Sequence, residues 1–352
     1  RRIGEHRWAS WLMVELWWPP PTLMPQHWLC AASSGMLEIP EPKLPIPTFV
    51  GESLAGFPLG QTIAIGSVAW RVLDGVRFGR VAAIYERSLY LDVNGAWICL
   101  ADTVLGSGPL MVSVEGKYGR GWIQRFSVGS LVKLTATSIT LDNFPILSIQ
   151  GASAWQPPPP PVWSKTSLAD GLDALENLAE TRLPTEGLGR FLWSCHHVFP
   201  ATAESHAAAP AIAVLEGWLD ESFAAQTRRP PAHEAVAALL GLGPGLTPSG
   251  DDFLGGMLIA LHACGKITVR QQLFIPIVAL LEATGPVSRA HLQAAALGEG
   301  SEALHRMLNA LLEADADELA AEVDAIACIG HTSGWDAVAG IATVLRAIAS
   351  AV

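Results

Sequence analysis

Positive charge is scarce in this chain of 352 residues: 22 Lys and Arg stand against 33 Asp and Glu, a formal net charge of −11. A polyanionic partner needs a clustered basic surface to displace its counterions, so no nucleic-acid partner is expected. Cysteine is scarce too. Cys30, Cys99, Cys195, Cys264 and Cys328 are scattered, odd in number and without a CxxC pair, which signals neither a disulfide framework nor a zinc site and fits a reducing cytoplasm. Long apolar runs are missing. None reaches the roughly 18 residues that cross a bilayer, and the most apolar stretches, 253–264 and 273–281, read as core helices. No membrane partner is expected. A dinucleotide-binding fingerprint, a Walker loop and a nucleophile elbow are absent as well. What is abundant is apolar character: 50% of the residues are hydrophobic and only 16% charged. That balance builds a sizeable core and is incompatible with wholesale disorder.

The length suits two domains, and the composition changes along the chain accordingly. Residues 1–55 open on Arg1, crowd Trp8, Trp11, Trp17, Trp18 and Trp28 among prolines, and keep no hydrophobic period. They are expected to be a poorly ordered or non-native extension, a translated upstream region with the start at Met24 or Met36. A signal peptide is the rival reading, but Glu15 interrupts its apolar stretch. Over 56–155, the short runs 63–70, 81–85, 88–93, 97–100, 110–114 and 131–134 are separated by Gly, Asp and Asn. Asp74-Gly75 and Asn94-Gly95 favour tight hairpin turns, so an antiparallel β sheet or small barrel is expected. Five prolines at 157–161 make residues 156–162 a stiff linker. From 163 to 352 the period becomes helical, as in Leu168, Leu172, Leu175 and Leu178 or Leu304, Met307, Leu308, Leu311 and Leu312. The fold class is therefore α+β: the sheet or barrel first, then an all-helical domain in which abundant small residues let helices pack closely.

Within the helical half, 241–256 reads GLGPGLTPSGDDFLGG. Gly241, Gly243 and Gly245 alternate beside Pro244, a pattern for backbone that takes positive φ or lies against a ligand. Thr247-Pro248-Ser249-Gly250-Asp251-Asp252 then reads as a helix start, with Pro at the first helical position and Ser249 and Asp252 as a capping box. Such loops are often only structural; the adjacent aspartates raise the functional reading. Backbone N–H groups at a helix N-terminus favour an anion by roughly 0.3 to 2 kcal/mol. A phosphate about 5 Å from one carboxylate costs roughly 3 kcal/mol at an effective dielectric near 20. Repulsion wins unless a cation intervenes, and Mg²⁺ on Asp251, Asp252 and Asp336 is the expected metal. Gly243, Gly245, Thr247, Ser249 and Gly250 are then the candidate binders of a small anionic substrate or its phosphate, with Asp252 acting in catalysis.

Gly330-His331-Thr332-Ser333-Gly334-Trp335-Asp336 shows the same grammar before a second apolar helix. With Ser333 set under Ser249, the pattern Ser-Gly-x-Asp-x-x-x-Gly recurs, matching Gly250, Asp252 and Gly256 to Gly334, Asp336 and Gly340. Either capping chemistry arose twice, or the segments are duplicated or paired around one cavity. In a paired site Ser333 joins the binders and His331, with its pKa nearest neutrality, is the candidate acid/base group; a His making local hydrogen bonds is the blander alternative. Thr284-Gly285-Pro286 leads to another helix start, where Ser288 is expected to cap and Arg289 is the nearby cation for a carboxylate or phosphate. Cys195-His196-His197 has metal-capable types without a matching ligand pair. Gly106-Ser107-Gly108-Pro109 reads as a turn.

GLGPGLTPSGDDFLGG, with TGPVSRAHLQAAALGEGSEALH and GHTSGWDAVAG, resembles the bacterial AllH-type family, associated with oxamate carbamoyltransferase in allantoin degradation. The likeness spans about residues 60–350. It implies a transferase subunit that works with two other subunits on carbamoyl phosphate and oxamate in purine nitrogen catabolism, with Mg²⁺ as the metal. It identifies no catalytic residues. An independent metal-dependent enzyme on another small anionic metabolite and a non-catalytic scaffold remain the alternatives.

Overall fold

Alternation of apolar and polar residues dictates the first half of the fold. Leu89, Leu91 and Val93, then Val132 and Leu134, and Ile139 and Leu141 are buried at every second position, as expected of strands with one face on a core; Ile98 to Ala101 are buried without a break. The computed structural model describes residues 60–115, 123, 126–142, 144–193, 201–224 and 229–351. The Trp-rich start with its candidate Met residues, and Cys195-His196-His197, lie outside them. Strands β1 (Gly60–Ile65), β2 (Arg77–Ile84), β3 (Ser88–Val93), β4 (Ala96–Asp102), β5 (Met111–Val114), β6 (Leu131–Leu134), β7 (Ser138–Leu141) and β8 (Phe144–Ser148) run in the order β5-β4-β3-β2-β6-β7-β8-β1. Pairing of β1 with β5 closes them into an eight-stranded barrel, and β9 (Ser153–Ala154) adds to β1. The barrel is not wholly antiparallel, since β4–β5 and β1–β8 are parallel pairs.

Asn94-Gly95 forms the tight β3–β4 hairpin with φ of 55° and 85°, and Val93 pairs with Ala96. Asp74-Gly75, expected as another hairpin, instead ends a helix. The 63–70 run divides after Ile65, and α1 (Ser67–Leu73) follows. The Pro109 carbonyl accepts the Val68 and Ala69 amides at 2.9 and 3.1 Å. Ala69, Val72 and Leu73 bury at helical spacing. Two orphan N–H groups of the first turn thereby find a partner, which favours a helix over a longer strand.

The helical half comprises α2 (Lys165–Ala179), α3 (Ala203–Ala224), α4 (His233–Leu239), α5 (Ser249–Ala263), α6 (Ile267–Ala279), α7 (Pro286–Ala296), α8 (Glu302–Glu313), α9 (Ala316–Ile326) and α10 (Ser333–Ser350). Residues 256–261 of α5 and 334–345 of α10 are buried without interruption, so these two helices are the centre and the others wrap them. Glycines let their backbones meet. A Cβ on Gly256 would collide with the Ala337 carbonyl oxygen, and one on Gly340 with that of Phe253.

The barrel docks on this bundle through the Gly106-Ser107-Gly108-Pro109 segment. Ser107 accepts the Glu302 amide at 2.7 Å through its carbonyl, and its own amide donates to the Glu302 carboxylate at 2.9 Å. Ser67 donates to Glu299, and Asn309 of α8 donates to the Pro159 carbonyl at 3.1 Å, laying the proline run along that helix. Leu54–Val352 accordingly forms one compact unit. Among the described residues no helix is long and apolar enough to cross a membrane.

Candidate functional site at two converging helix starts

The glycine loop is held shut by its own aspartate. Gly241, Gly243 and Gly245 have φ of 75°, 111° and 96°, conformations that cost other residues about 1 kcal/mol or more. Gly243 lies over the start of α5, where a Cβ would stand 2.9 Å from the Ser249 amide nitrogen. Gly245 has open space around it. Asp251, only 2% exposed, accepts the Gly241 amide at 2.8 Å on Oδ1. Its Oδ2 accepts the Ser288 hydroxyl at 2.6 Å and the Thr284 hydroxyl. Hydrogen bonds to a charged acceptor are worth roughly 1.5–3 kcal/mol each, so one carboxylate ties the loop to the 284–288 turn. Both oxygens of this expected metal ligand are thereby engaged.

The capping geometry differs from expectation. Pro248 is the N-cap of α5, Thr332 that of α10, and neither start has a side-chain cap. Ser288 lies inside α7, whose N-cap is Gly285 with Pro286 first. Burial explains these differences: Ser249 and Ser288 are 3% and 1% exposed and turn to buried carboxylates rather than to their own helix ends.

The two starts meet. Thr247 Oγ1 and Ser333 Oγ are 3.0 Å apart. Each aspartate of the recurring pattern reaches across to the serine of the other helix: Asp252 interacts with Ser333 and Thr247, Asp336 with Ser249 and Thr332. Burial, then the charge of Asp336, holds the Asp252 carboxyl well above the usual carboxylate range, against the pull of those hydroxyls. Burial also raises Asp336, while the Leu188 amide, donating to its Oδ1 at 2.5 Å, pulls the other way. Asp336 is fully buried and Asp252 half-buried. Each keeps one oxygen, Oδ2, out of solvent and without a hydrogen-bond partner.

The shared glycines have a packing reason. A Cβ on Gly250 would collide with the carbonyl oxygen of Leu239, the last residue of α4; one on Gly334 would collide with that of Ile326, the last residue of α9. Gly256 and Gly340 make the reciprocal contacts described above. The two helix starts are therefore alike in packing, with α5 and α10 in reciprocal contact.

Other candidates lie apart from this arrangement. The His331 side chain is 78% exposed, 3.3 Å from Glu186, itself exposed. Arg289 pairs with Glu282 at 2.5 Å, and its buried Nε has no partner. A cleft of about 650 Å³ lined by Val214, Gly217, Trp218 and Arg229 contains no residue of the loop or of either helix start. Sequence reasoning missed Tyr90 on β3, whose phenol is raised by burial, by the Cys99 thiol and, further down, by Asp252. Burial pushes the Cys99 thiol up to about 12, so it is no nucleophile at neutral pH.

Among the described residues no three His, Cys, Asp or Glu side chains gather as a metal centre requires. Mg²⁺, however, uses one or two carboxylates and completes its shell with water and phosphate oxygens, and the unpaired oxygens of Asp252 and Asp336 fit that demand.

Residues 239–345 match the family described as oxamate carbamoyltransferase subunit AllH. The AllH match begins at Leu239, against Gly250, and ends within α10, so it encloses the loop and both helix starts. No solved structure matches the chain.

Proposed function

We propose that the chain is a subunit of an oxamate carbamoyltransferase that works with two other subunits in purine nitrogen catabolism in the cytoplasm. The observation that carries this reading is the coincidence of the AllH match with the two converging helix starts. The exposed crest of the loop, from Gly243 through Gly245 to Thr247, offers backbone and hydroxyl donors to the phosphate of carbamoyl phosphate. Arg289, which follows Ser288 on α7, is the candidate cation for the oxamate carboxylate. In the reaction the oxamate nitrogen attacks the carbamoyl carbon, a C–N bond forms, the C–O bond to phosphate breaks, and the nitrogen loses a proton. Asp252, whose carboxyl burial holds above the usual range, is the acceptor we assign to that proton. Mg²⁺, when bound at Asp252 and Asp336, supplies positive charge for the departing phosphate.

The deciding experiment purifies the chain alone and with its partner subunits, then measures phosphate release from carbamoyl phosphate in the presence of oxamate. The assembled wild type is expected to be active and the assembled Asp252→Ala complex at least 100-fold slower. Turnover by the lone chain points instead to an independent enzyme. Full activity of the mutant complex points to a scaffold, a role the tightly packed α5 and α10 also suit.

A further inference from the structure

We infer that Asp251 is the positioning residue of the site: its carboxylate braces the glycine loop against the start of α7 and so holds the loop in the form that takes the anion. The brace stands on contacts within the chain; the anion rests on the reading above.

Three segments meet at this one group. Oδ1 accepts the Gly241 amide of the loop at 2.8 Å, while Oδ2 accepts the Ser288 hydroxyl of α7 at 2.6 Å and the Thr284 hydroxyl of the turn before it. All three donors are neutral, and among the described residues no lysine or arginine forms an ion pair with Asp251. Burying a carboxylate without a cation is costly, and what it gains in return is short, directed, charge-assisted bonds. The loop also touches the same turn directly. A Cβ on Gly241 would stand 2.9 Å from the Ala283 carbonyl oxygen, and the Leu242 carbonyl accepts the Gly250 amide at 3.0 Å. Residues 241 and 242 are thus fixed, whereas Pro244 and Gly245 on the crest are exposed, and the place of the crest follows that of its foot. On the other side of the brace Arg289 comes directly after Ser288, so the bond that holds Ser288 also sets where the backbone of this candidate cation starts. Freeing the loop would leave only a fraction of molecules competent. The apparent affinity then falls by that fraction, while the rate at saturation stays the same, because bound substrate draws the loop back.

The test removes the donors on the turn and leaves every candidate binding residue in place. Thr284→Val and Ser288→Ala each delete one hydroxyl; Thr284→Ser keeps the hydroxyl and gives up a buried methyl. Binding of inorganic phosphate to the full chain is measured by calorimetry with Mg²⁺ present, together with hydrogen exchange at the Gly241 amide. Thr284→Val and Ser288→Ala are each expected to weaken phosphate binding about tenfold and to speed that exchange, and Thr284→Ser to match the wild type in both. In the assembled complex the same two variants should raise KM for carbamoyl phosphate about tenfold with kcat within about threefold of wild type. Should Ser288→Ala not fold, Thr284→Val against Thr284→Ser still decides. Wild-type binding and exchange in Thr284→Val overturns the brace. So does equal weakening by Thr284→Ser and Thr284→Val, which would tie binding to packing, or a fall in kcat at unchanged KM. A wild type that binds no phosphate sinks the phosphate reading alone, and the exchange rates at Gly241 then decide the brace.

Discussion

The starts of α5 and α10 carry the same pattern and do different work. Both put Ser, Gly and Asp at matching positions, both press a glycine against the preceding helix, and both bury an aspartate facing the other. They part at the position after Ser-Gly. In α5 it is Asp251, which fastens the glycine loop; in α10 it is Trp335, fully buried against the 187–192 segment. The carboxylates differ too, since Asp336 is fully buried and accepts the Leu188 amide whereas Asp252 is half-buried and meets only hydroxyl donors among the described residues. The recurring motif thus supplies its shared residues for backbone contact, and its differences set what each start holds in place.

The largest expected effect tests the shared part. Gly256→Val and Gly340→Val each drive a side chain into a backbone carbonyl, and overpacking that only backbone movement can relieve costs about 3 kcal/mol or more. Urea denaturation should show comparable losses for both. If one substitution is tolerated and the other is not, the reciprocal contact of the twins is broken as an explanation. Next comes the difference between them. Asp251→Ala strands the Gly241 amide and the hydroxyls of Thr284 and Ser288, for a loss of about 3 kcal/mol, with faster hydrogen exchange at Gly241. An unchanged exchange rate there would show that the loop closes without Asp251.

Sequence alone makes some of this legible. Period-two burial marks β3, β6 and β7, and the 241–252 stretch announces a loop and a helix start through its glycines and Pro248. The closure of β1 on β5 leaves no local trace, because Thr62 and Val114 meet only through the fold. Asp251 shows why the site was half-visible: its charge is apparent in GDD, but Thr284 and Ser288 reach it from a turn more than thirty residues away. The matched Ser-x-x-Asp spacing suggests capping, whereas tertiary packing turned each serine toward the opposite helix. Tyr90 carries no signal at all, being one aromatic in an ordinary strand. His331 attracts attention by its pKa class, and exposure is what sequence could not supply.

A pH profile sharpens the comparison by separating the twins from a buried histidine elsewhere. His305, 5% exposed, accepts the Gly300 amide at 2.9 Å through Nε2, and burial lowers its pKa to about 4. The folded pKa lies below the unfolded one, so its contribution is fully present above about 6.5 and is lost as pH falls from there toward 4, about 3 kcal/mol in all. His305→Gln keeps an acceptor and should flatten that part of the stability profile; a wild-type slope that survives the change assigns the acid loss to other groups, His291 first, whose pKa burial also lowers to about 4.

The smallest effect is expected at His331, the residue that the α10 start carries where α5 has Thr247. The His331–Glu186 pair is exposed on both sides at 3.3 Å, and ion pairs in water contribute between nothing and about 1 kcal/mol. His331→Ala should therefore change stability by less than about 0.5 kcal/mol in urea denaturation, against about 3 kcal/mol for Asp251→Ala. Thr247 is different, because its hydroxyl meets Ser333 within the site. Measuring carbamoyl transfer in the assembled complex then gives His331 a clean reading, since the fold is undisturbed. A rate within about threefold of wild type, less than 0.7 kcal/mol of barrier, leaves His331 as a surface residue. A loss of 100-fold or more would mean that His331 acts on substrate from the exposed side of the α10 start.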